Sequence, residues 1–418
     1  MEASFSLILS KITLSDIFKE KRAGLRILFV GLPDSIHTAR WINQLFDQGW
    51  DNHLFPAGSG VLRPDINFKN VTIYGVSSFR PKELDRTARV KGLWPLRKGA
   101  STLNHKAGRF YSGWLASLIR WLKPDIVHSL EFQHAGYLTL EAKNRFKGSF
   151  PPWIVSNWGS DIYLFGRLAE HVEKIRGVLS ACDYYHSECQ RDVGLAREFG
   201  FAGEVLPVLP GAGGLDVAQI QQFRQPGLTS ARRLIALKGY QHWAGRALVG
   251  LRAIELCADV LKGYRVAIYL TSPDVKIAAE LVSQSTGIPI DLIPLCPHED
   301  ILKLHGQARI SIGLSISDAL STSAVEAIAM GSFPIQSNTS CIDEWLTDGE
   351  SALLVNPEDP HEVAMAIRRA VSDDELVNHA AHINSQVVAE RLDYAVVQPQ
   401  VIAMYRKVAA EARLRNRI

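Results

Sequence analysis

The sequence has few cysteines and no long apolar stretch, and both absences restrict the kind of protein it can be. Its 418 residues include five cysteines, an odd number with no pair at metal-ligand spacing: Cys182, Cys189, Cys257, Cys296 and Cys341. We therefore expect reduced thiols in a cytosolic protein, without a disulfide framework or a zinc site. No apolar run approaches the roughly 20 residues that cross a bilayer. The short apolar run at residues 5–9 lacks the basic flank and cleavage site of a signal peptide, so we expect none.

A dominant charge and the usual nucleotide motifs are missing too. Lysine and arginine number 46 against 43 aspartate and glutamate residues, a net charge of +3, which gives no general attraction to nucleic acid. The loop at residues 31–35 reads GLPDS and lacks the G-x-G-x-x-G pattern of a dinucleotide site. The chain also has no Asp-x-Asp cluster of the metal-binding kind, so we expect no metal at its functional site.

Basic residues are nevertheless concentrated in residues 80–109, where Trp94 and Leu96 lie among them. One interpretation is a solvated loop. The other is contact with anionic lipid head groups or a lipid-diphosphate acceptor, with the apolar side chains at the interface. An amphipathic lead-in, residues 1–24, likewise either packs against the body or lies on a membrane surface.

Short apolar runs alternate with helical stretches along the rest of the chain, which predicts doubly wound parallel sheets in an α/β fold. The length calls for two domains. We place the domains and their connections at residues 25–218, a linker poor in large apolar residues at 219–231, a second domain at 232–393 and a terminal helix at 394–418 that breaks at Pro399. The predicted strands lie at 26–30, 52–55, 126–128, 153–156, 183–186, 204–206, 234–237, 266–270, 290–293, 310–314, 333–336 and 352–355.

Residues 315–331 are the most informative segment. Asp318 and Glu326 have seven residues between them, after a predicted strand and around the start of a short helix. Ser323 and Glu326 have the spacing of a capping box, Gly331 is the predicted helix stop, and the first helical amides favour an anion. Carboxylates beside such a helix suit a ligand with hydroxyls at one place and phosphates at another, as in a nucleotide sugar. The alternatives are that Glu326 only caps its helix and that Asp318 is a solvated turn residue.

With these residues in view, the chain resembles the retaining glycosyltransferases of family 4. Residues 304–355 follow that family's order: a strand, an acidic residue, seven residues, Glu-Ala, Gly, x-Pro, and an acidic residue at Glu344. The first half adds SIHT at residues 35–38, PDIVH at 124–128 and GSD at 159–161. The chain differs from the family in Asp318, where Glu is usual, and in Trp158, where His is frequent. Its basic pair is also eight residues apart instead of five.

The resemblance implies the GT-B fold, in which two Rossmann-like doubly wound parallel-sheet domains face a central cleft. It also implies a retaining transfer of a hexose-like sugar from a nucleotide-diphosphate sugar, UDP- or GDP-linked, to a hydroxyl of a saccharide or lipid-linked saccharide. No cofactor beyond this donor is implied. We expect such an enzyme in the cytoplasm, alone or peripherally on the inner face of the cell membrane, in polysaccharide or glycoconjugate synthesis.

The resemblance also implies roles for particular side chains, with Glu326 on the ribose and Asp318 on the donor sugar. The remaining assignments are His37 and Asp161 at the catalytic pocket, Lys238, Arg246, Ser321, Thr322 and Ser323 on the donor diphosphate, Cys296 and His298 beside the nucleoside, and His128, Glu131 and His134 in the acceptor cleft. The non-functional alternatives are that Lys238 and Arg246 are solvated surface residues, that His37 and Asp161 only start or cap a helix, and that His128 is structural. At the level of the whole protein, a sugar-nucleotide epimerase and a non-catalytic nucleotide-sugar-binding scaffold remain open.

Overall fold

The computed structural model describes residues 24–58, 62–63, 66–75, 84–92 and 107–415. The strands in this part of the chain are β1 Arg26–Gly31, β2 Asp51–Pro56, β3 Val71–Gly75, β4 Arg89–Gly92, β5 Ile126–Leu130, β6 Trp153–Asn157, β7 Tyr184–Ser187, β8 Glu204–Val205, β9 Leu234–Lys238, β10 Arg265–Tyr269, β11 Ile290–Leu292, β12 Ala308–Gly313, β13 Phe333–Ser337 and β14 Leu353–Val355. The α-helices are α1 Ile36–Asn43, α2 Ala107–Leu122, α3 Tyr137–Asn144, α4 Ser160–Tyr163, α5 Ala169–Ala181, α6 Gln190–Glu198, α7 Val217–Ile220, α8 Ala247–Leu256, α9 Pro273–Thr286, α10 His298–Gln307, α11 Thr322–Ala329, α12 Pro360–Ser372, α13 Asp374–Val387 and α14 Tyr394–Arg415.

The strands form two all-parallel sheets. The first has the order β4-β3-β2-β1-β5-β6-β7-β8 and the second β11-β10-β9-β12-β13-β14. The central strand β1 pairs with β2 on one side and β5 on the other, so that Ile27 lies between Asn52 and Ile126. In each sheet the chain winds outward in both directions from the centre, and this confirms the predicted α/β fold of two doubly wound sheets.

The structure adds two strands that the sequence did not predict, β3 and β4. The residues of β4, RVKG, lie inside the basic segment for which a solvated loop was one of the two interpretations. They form the edge of the first sheet, where charged side chains such as Arg89 and Lys91 are tolerated and discourage pairing with another chain. The rest of that segment, residues 80–83 and 93–106, and residues 1–23 of the lead-in lie outside the described residues.

The terminal helix α14 packs against the first sheet's domain. Val397, Val401 and Tyr405 are buried in its core, and the Trp41 indole donates to the Tyr405 hydroxyl at 2.8 Å. The predicted break at Pro399 is wrong, because α14 runs through this residue without interruption. Burial of one face of the helix outweighs the loss of a single backbone hydrogen bond at the proline.

The expectation that all cysteines are reduced is corrected by the structure. Cys189 and Cys341 are paired as a disulfide, with their Cα atoms 6.1 Å apart, whereas Cys182, Cys257 and Cys296 are free thiols. The pair joins the end of β7 in the first domain to the segment after β13 in the second. The two residues are 152 positions apart in sequence, so their spacing carried no signal.

Across the described residues, none of the helices has both the length and the apolar character that a bilayer crossing requires.

Candidate functional site

A cavity of about 300 Å³ lies between the domains, at the carboxyl ends of β9, β12 and β13. It is lined by His37, Ser160, Lys238, Tyr240, His242, Trp243, Ala244, Gly245, Gly313, Leu314, Ser315, Ser317, Asp318, Ser321, Gln336, Ser337 and Ser340. A larger groove of about 630 Å³ is found beside Asp125 and Asp183, where β5 and β7 begin. Open parallel sheets bind their ligands at the carboxyl ends of the strands, and we therefore assign the site to the smaller cavity.

Helix α11 directs its amino terminus at this cavity. Its N-cap is Ser321, and Ser323 lies inside the first turn, with its hydroxyl 3.0 Å from that of Ser321. The predicted capping box is therefore wrong, because Glu326 turns away from the start of its helix toward other partners. The helix ends at Ala329 with Met330 as its C-cap, and Gly331 follows with a φ of +74°, as the helix-stop prediction required.

Glu326 is buried and connects the two domains. Its Oε1 lies 2.7 Å from His298 Nε2, at the start of α10, and 3.3 Å from Nη2 of Arg40, on α1 of the first domain. Burial by itself would raise the pKa of Glu326, but the His298 hydrogen bond and the positive charge of Arg40 outweigh it and lower the pKa to about 2. Glu326 is therefore an ionised acceptor at any physiological pH.

Asp318 and Lys238 share the cavity. Burial raises the pKa of Asp318, while the charge of Lys238 and a hydrogen bond from the Ala319 amide at 2.9 Å oppose the increase. The Lys238 ammonium lies 4.9 Å from the centre of the Tyr240 ring. The cavity thus combines one cation, one carboxylate and the amino end of α11.

Arg246, the second predicted cation, has a different environment. Its Nη1 donates to the carbonyls of His242, Ala244 and Gly245, and its Nε lies 3.3 Å from Glu358. In this structure the guanidinium braces the loop between β9 and α8 and does not line the cavity.

His37 lines the cavity, and its pKa is lowered to about 4 by burial and by the charges of Arg40 and Lys238. It is therefore neutral at physiological pH, and its ring packs 5.6 Å from that of Trp158. Asp161 is buried instead, and it accepts hydrogen bonds from the amides of Trp158 and Phe132. Burial and the neighbouring Glu131 raise its pKa to about 8.

The cavity is lined by the residue before Asp161 and not by Asp161 itself. Ser160 lines it, and the Ser317 hydroxyl of the second domain donates to the Ser160 hydroxyl at 2.9 Å. Ser160 was not predicted because a lone serine carries no signal of its own, even at the start of a helix.

Two of the three predicted acceptor-cleft residues are structural. His128 is fully buried and bonds to the hydroxyls of Tyr405 and Ser156, so its assignment to the cleft is wrong. Glu131 is buried as well, and its carboxylate accepts from the amides of His134 and Ala135 at the start of a π-helical turn, Phe132–Gly136. His134 is the exposed member, and its hydrogen bond to Glu131 raises its pKa.

The remaining predicted residues surround the site. Thr322 lines a small neighbouring cavity together with Arg40. Cys296 is partly exposed, on the loop that leads into α10, two residues before His298. The sequence analysis did not predict the aromatic run at Tyr240, His242 and Trp243, although three rings within four residues of a polar loop were a visible signal.

The two domains meet in a second group of contacts beside the cavity. The Glu344 carboxylate accepts from the amides of Gln190 at 2.7 Å and Arg191 at 2.9 Å, the first residues of α6 in the other domain. In return, the Arg191 guanidinium donates to the carbonyls of Thr339 at 2.9 Å and Asp318 at 3.0 Å. The first domain thereby supports the loop that carries Asp318.

Comparisons with known proteins agree with this architecture. The family model described as glycosyl transferase 4-like matches residues 26–183, and that described as glycosyl transferases group 1 matches residues 282–386. A search of curated proteins finds no match.

Solved structures match over nearly the whole chain. Sucrose-phosphate synthase from Thermosynechococcus elongatus has a TM-score of 0.70 at 14% identity, covering 93% of this chain and 100% of that one. The trehalose 6-phosphate synthase of Burkholderia multivorans has a TM-score of 0.66 at 15% identity, with coverages of 93% and 99%. HepE of Anabaena, solved in complex with UDP-glucose, has a TM-score of 0.64 at 12% identity, with coverages of 92% and 100%.

At these identities the structural matches establish the fold, and the two family models, one in each half of the chain, establish the kind of protein. The chain belongs to the family-4-like glycosyltransferases and has their two-domain GT-B fold.

Proposed function

We propose that this glycosyltransferase moves a hexose-like sugar from a UDP- or GDP-sugar to a hydroxyl of a saccharide or lipid-linked saccharide, with retention of the anomeric configuration. One observation carries the proposal: Lys238, Asp318 and the amino end of α11 line the same interdomain cavity, and Glu326 lies one helical turn further along α11. The fold it shares with HepE, which was solved with UDP-glucose, supports a donor of this class.

We propose one orientation of the donor in the site. Glu326 accepts the ribose hydroxyls in exchange for its present contacts to Arg40 and His298, which leaves the base beside the loop at Cys296. Lys238 and the first amides of α11 stabilise the diphosphate as it leaves, a contribution of roughly 3 kcal/mol for a well-placed donor. Their charges compensate the diphosphate without a metal ion. Asp318 then holds a hydroxyl of the transferred sugar.

Retention follows most simply from a front-side reaction. Among the described residues that line the cavity, Asp318 is the only carboxylate, and in this proposal it already holds a sugar hydroxyl, which leaves no separate nucleophile for a double displacement. The bond from the anomeric carbon to the phosphate oxygen breaks while the bond to the acceptor oxygen forms on the same face. The acceptor proton passes to the leaving phosphate, and the nucleoside diphosphate departs. Because His37 is neutral at physiological pH, it can hydrogen-bond to the phosphate or the acceptor without adding charge.

Domain roles follow from the same arrangement. The second domain, residues 232–393, binds the donor, and the first domain, residues 25–218, takes the acceptor. The terminal helix α14 returns to the first domain and couples the two. We also propose that the enzyme is cytoplasmic and contacts the membrane peripherally through residues 80–109, whose described part presents Arg89 and Lys91 on the edge strand β4.

Thermal-shift screening with UDP-, GDP-, ADP- and CMP-sugars tests the donor. A ligand at 100 times its dissociation constant stabilises the protein by about 2.7 kcal/mol, so a true donor gives a clear shift that Glu326→Gln and Lys238→Ala reduce. NMR analysis of the product with the shifted donor then gives the anomeric configuration. No shift with any donor would count against the proposal and favour a scaffold. Release of an epimerised sugar nucleotide without an acceptor would favour an epimerase.

A further inference from the structure

Three aromatic side chains follow one another on the loop between β9 and α8, at the mouth of the donor cavity. The Tyr240 and His242 ring centres are 5.2 Å apart, and those of His242 and Trp243 are 5.4 Å apart. Trp243 is 59% exposed although it lines the cavity. Its ring lies 5.6 Å from that of Phe165, which belongs to the first domain. We call Tyr240, His242, Trp243 and Phe165 the aromatic shelf.

The loop that carries the shelf is held in place. Arg246 donates to three of its carbonyls, as described above, and the Gln241 amide donates to the Ser272 hydroxyl at 3.0 Å. Gly245 forms a β-bridge with Ser315, at the edge of the cavity. The rings are therefore presented in fixed positions, which lowers the entropy that a ligand must offset when it binds against them.

A pyranose is the ligand that fits such a surface. One face of the sugar ring carries mainly C–H groups, which pack against an aromatic ring, while its hydroxyls point outward at the edges. Trp and Tyr pair a large apolar face with a polar edge and suit ligands of this mixed character. A lipid chain would need a continuous apolar groove, but serines 160, 315, 317, 321, 337 and 340 line the cavity beyond the shelf.

The position of the shelf separates its ligand from the donor. In the proposed function the diphosphate lies against Lys238 and α11, deeper than the exposed Trp243, and the nucleoside lies beyond it at Glu326. A ring stacked on Trp243 sits instead at the opening, between the two domains, where an acceptor enters. We propose that the aromatic shelf is an acceptor subsite that stacks a pyranose ring of a saccharide on Trp243. This inference rests on the proposed function, since it names the acceptor class for that same site.

The test compares Trp243→Ala and Trp243→Phe with a matched control, Trp121→Ala. Trp121 is a tryptophan of similar exposure, at 67% against 59% for Trp243, on α2 of the first domain. The donor identified by thermal shift is used to measure donor dissociation constants and donor hydrolysis. Methyl pyranosides and disaccharides serve as acceptor probes, with acceptor KM and kcat as the readouts.

We expect Trp243→Ala to raise the acceptor KM at least tenfold and the donor dissociation constant by a much smaller factor. Trp243→Phe should recover most of the loss because it keeps an aromatic face, and Trp121→Ala should match wild type. The inference is overturned if Trp243→Ala weakens the donor instead, if the acceptor KM is unchanged, if none of the saccharide probes accepts, or if a prenyl phosphate accepts in their place. Failure to bind any nucleotide sugar would refute the proposed function at the earlier step, so the two failures are distinguishable.

Discussion

Once the Cys189–Cys341 disulfide is reduced, the contact between Glu344 and α6 gives a direct way to separate the two domains. Cys189 is the N-cap of helix α6, and its side chain makes no cap hydrogen bond within the described residues. Glu344 of the other domain accepts from the first two amides of α6 instead. We expect Glu344→Ala to shift the equilibrium toward the open form and leave each domain folded.

The magnitude follows from the two hydrogen bonds. A hydrogen bond to a charged group contributes roughly 1.5–3 kcal/mol, and Glu344 is half-exposed, so solvent reduces the pair to about 2 kcal/mol. Because each 1.4 kcal/mol is a factor of ten, the population of the open form should rise about 30-fold. Glu344→Gln keeps a hydrogen-bond acceptor but loses the charge, so its effect on the free energy of opening should be about half that of Glu344→Ala.

Thiol alkylation of the reduced protein measures this opening. Cys189 and Cys341 are buried against each other and Ala319 at the domain contact, so each reacts with iodoacetamide only when the domains separate. Mass spectrometry should show their alkylation about 30-fold faster in Glu344→Ala. Cys257, buried in the core of the second domain, is the internal control for unfolding.

The neighbouring Asp343→Ala is the matched control, because Asp343 is exposed and in the described part of the chain no hydrogen bond or ion pair of its side chain is found. The prediction is wrong if Cys189 is alkylated at the same rate in both variants, or if the alkylation of Cys257 becomes faster in parallel with that of Cys189.

Three further outcomes concern stability. Tyr405→Phe should lower the free energy of unfolding by about 2–4 kcal/mol in urea denaturation, because it leaves the buried Trp41 Nε1 and His128 Nδ1 without their partner. In the folded protein the pKa of Asp161 is raised to about 8, so the free energy of unfolding of wild type falls as the pH rises from about 4 to 8, by up to about 1.4 kcal/mol per pH unit. Asp161→Asn should remove this loss. Identical slopes of the free energy of unfolding against pH in the two proteins would contradict the prediction. Arg309→Met should lower the free energy of unfolding by about 3 kcal/mol in the same assay, because the buried guanidinium donates hydrogen bonds to three backbone carbonyls.

Much of the fold was predictable because buried strands of a parallel sheet are continuous apolar runs. β1 and β12 are buried almost throughout, and both were predicted from this feature alone. β4 was missed because an edge strand needs no apolar run, and its Arg89 and Lys91 resemble a loop. Pro399 was misread for the opposite reason: a local helix breaker was given more weight than the tertiary packing of α14.

The site was predictable where its residues are neighbours in sequence and not where folding brings them together. Asp318 follows the end of β12, so a local pattern placed it at the cavity, and the family resemblance placed Lys238, the last residue of β9, beside it. The S-x-x-E spacing at Ser323 could not show whether the glutamate turns back to its own helix or outward. Arg40 reaches Glu326 from 286 residues away, and no spacing rule contains such a contact.

In the proposed function, the contact between Arg40 and Glu326 also limits how the donor is bound. Glu326 is a buried carboxylate that already has two partners, so ribose hydroxyls replace hydrogen bonds and do not simply add to them. The net gain at Glu326 is therefore small, and affinity must come mainly from the diphosphate at Lys238 and α11. Because Arg40 is carried by the first domain, a nucleoside that displaces it also weakens one interdomain contact. In the proposed function, donor binding and the interdomain contact are thus coupled through one carboxylate, while Glu344, Arg191 and the Cys189–Cys341 disulfide hold the domains together independently of the ligand.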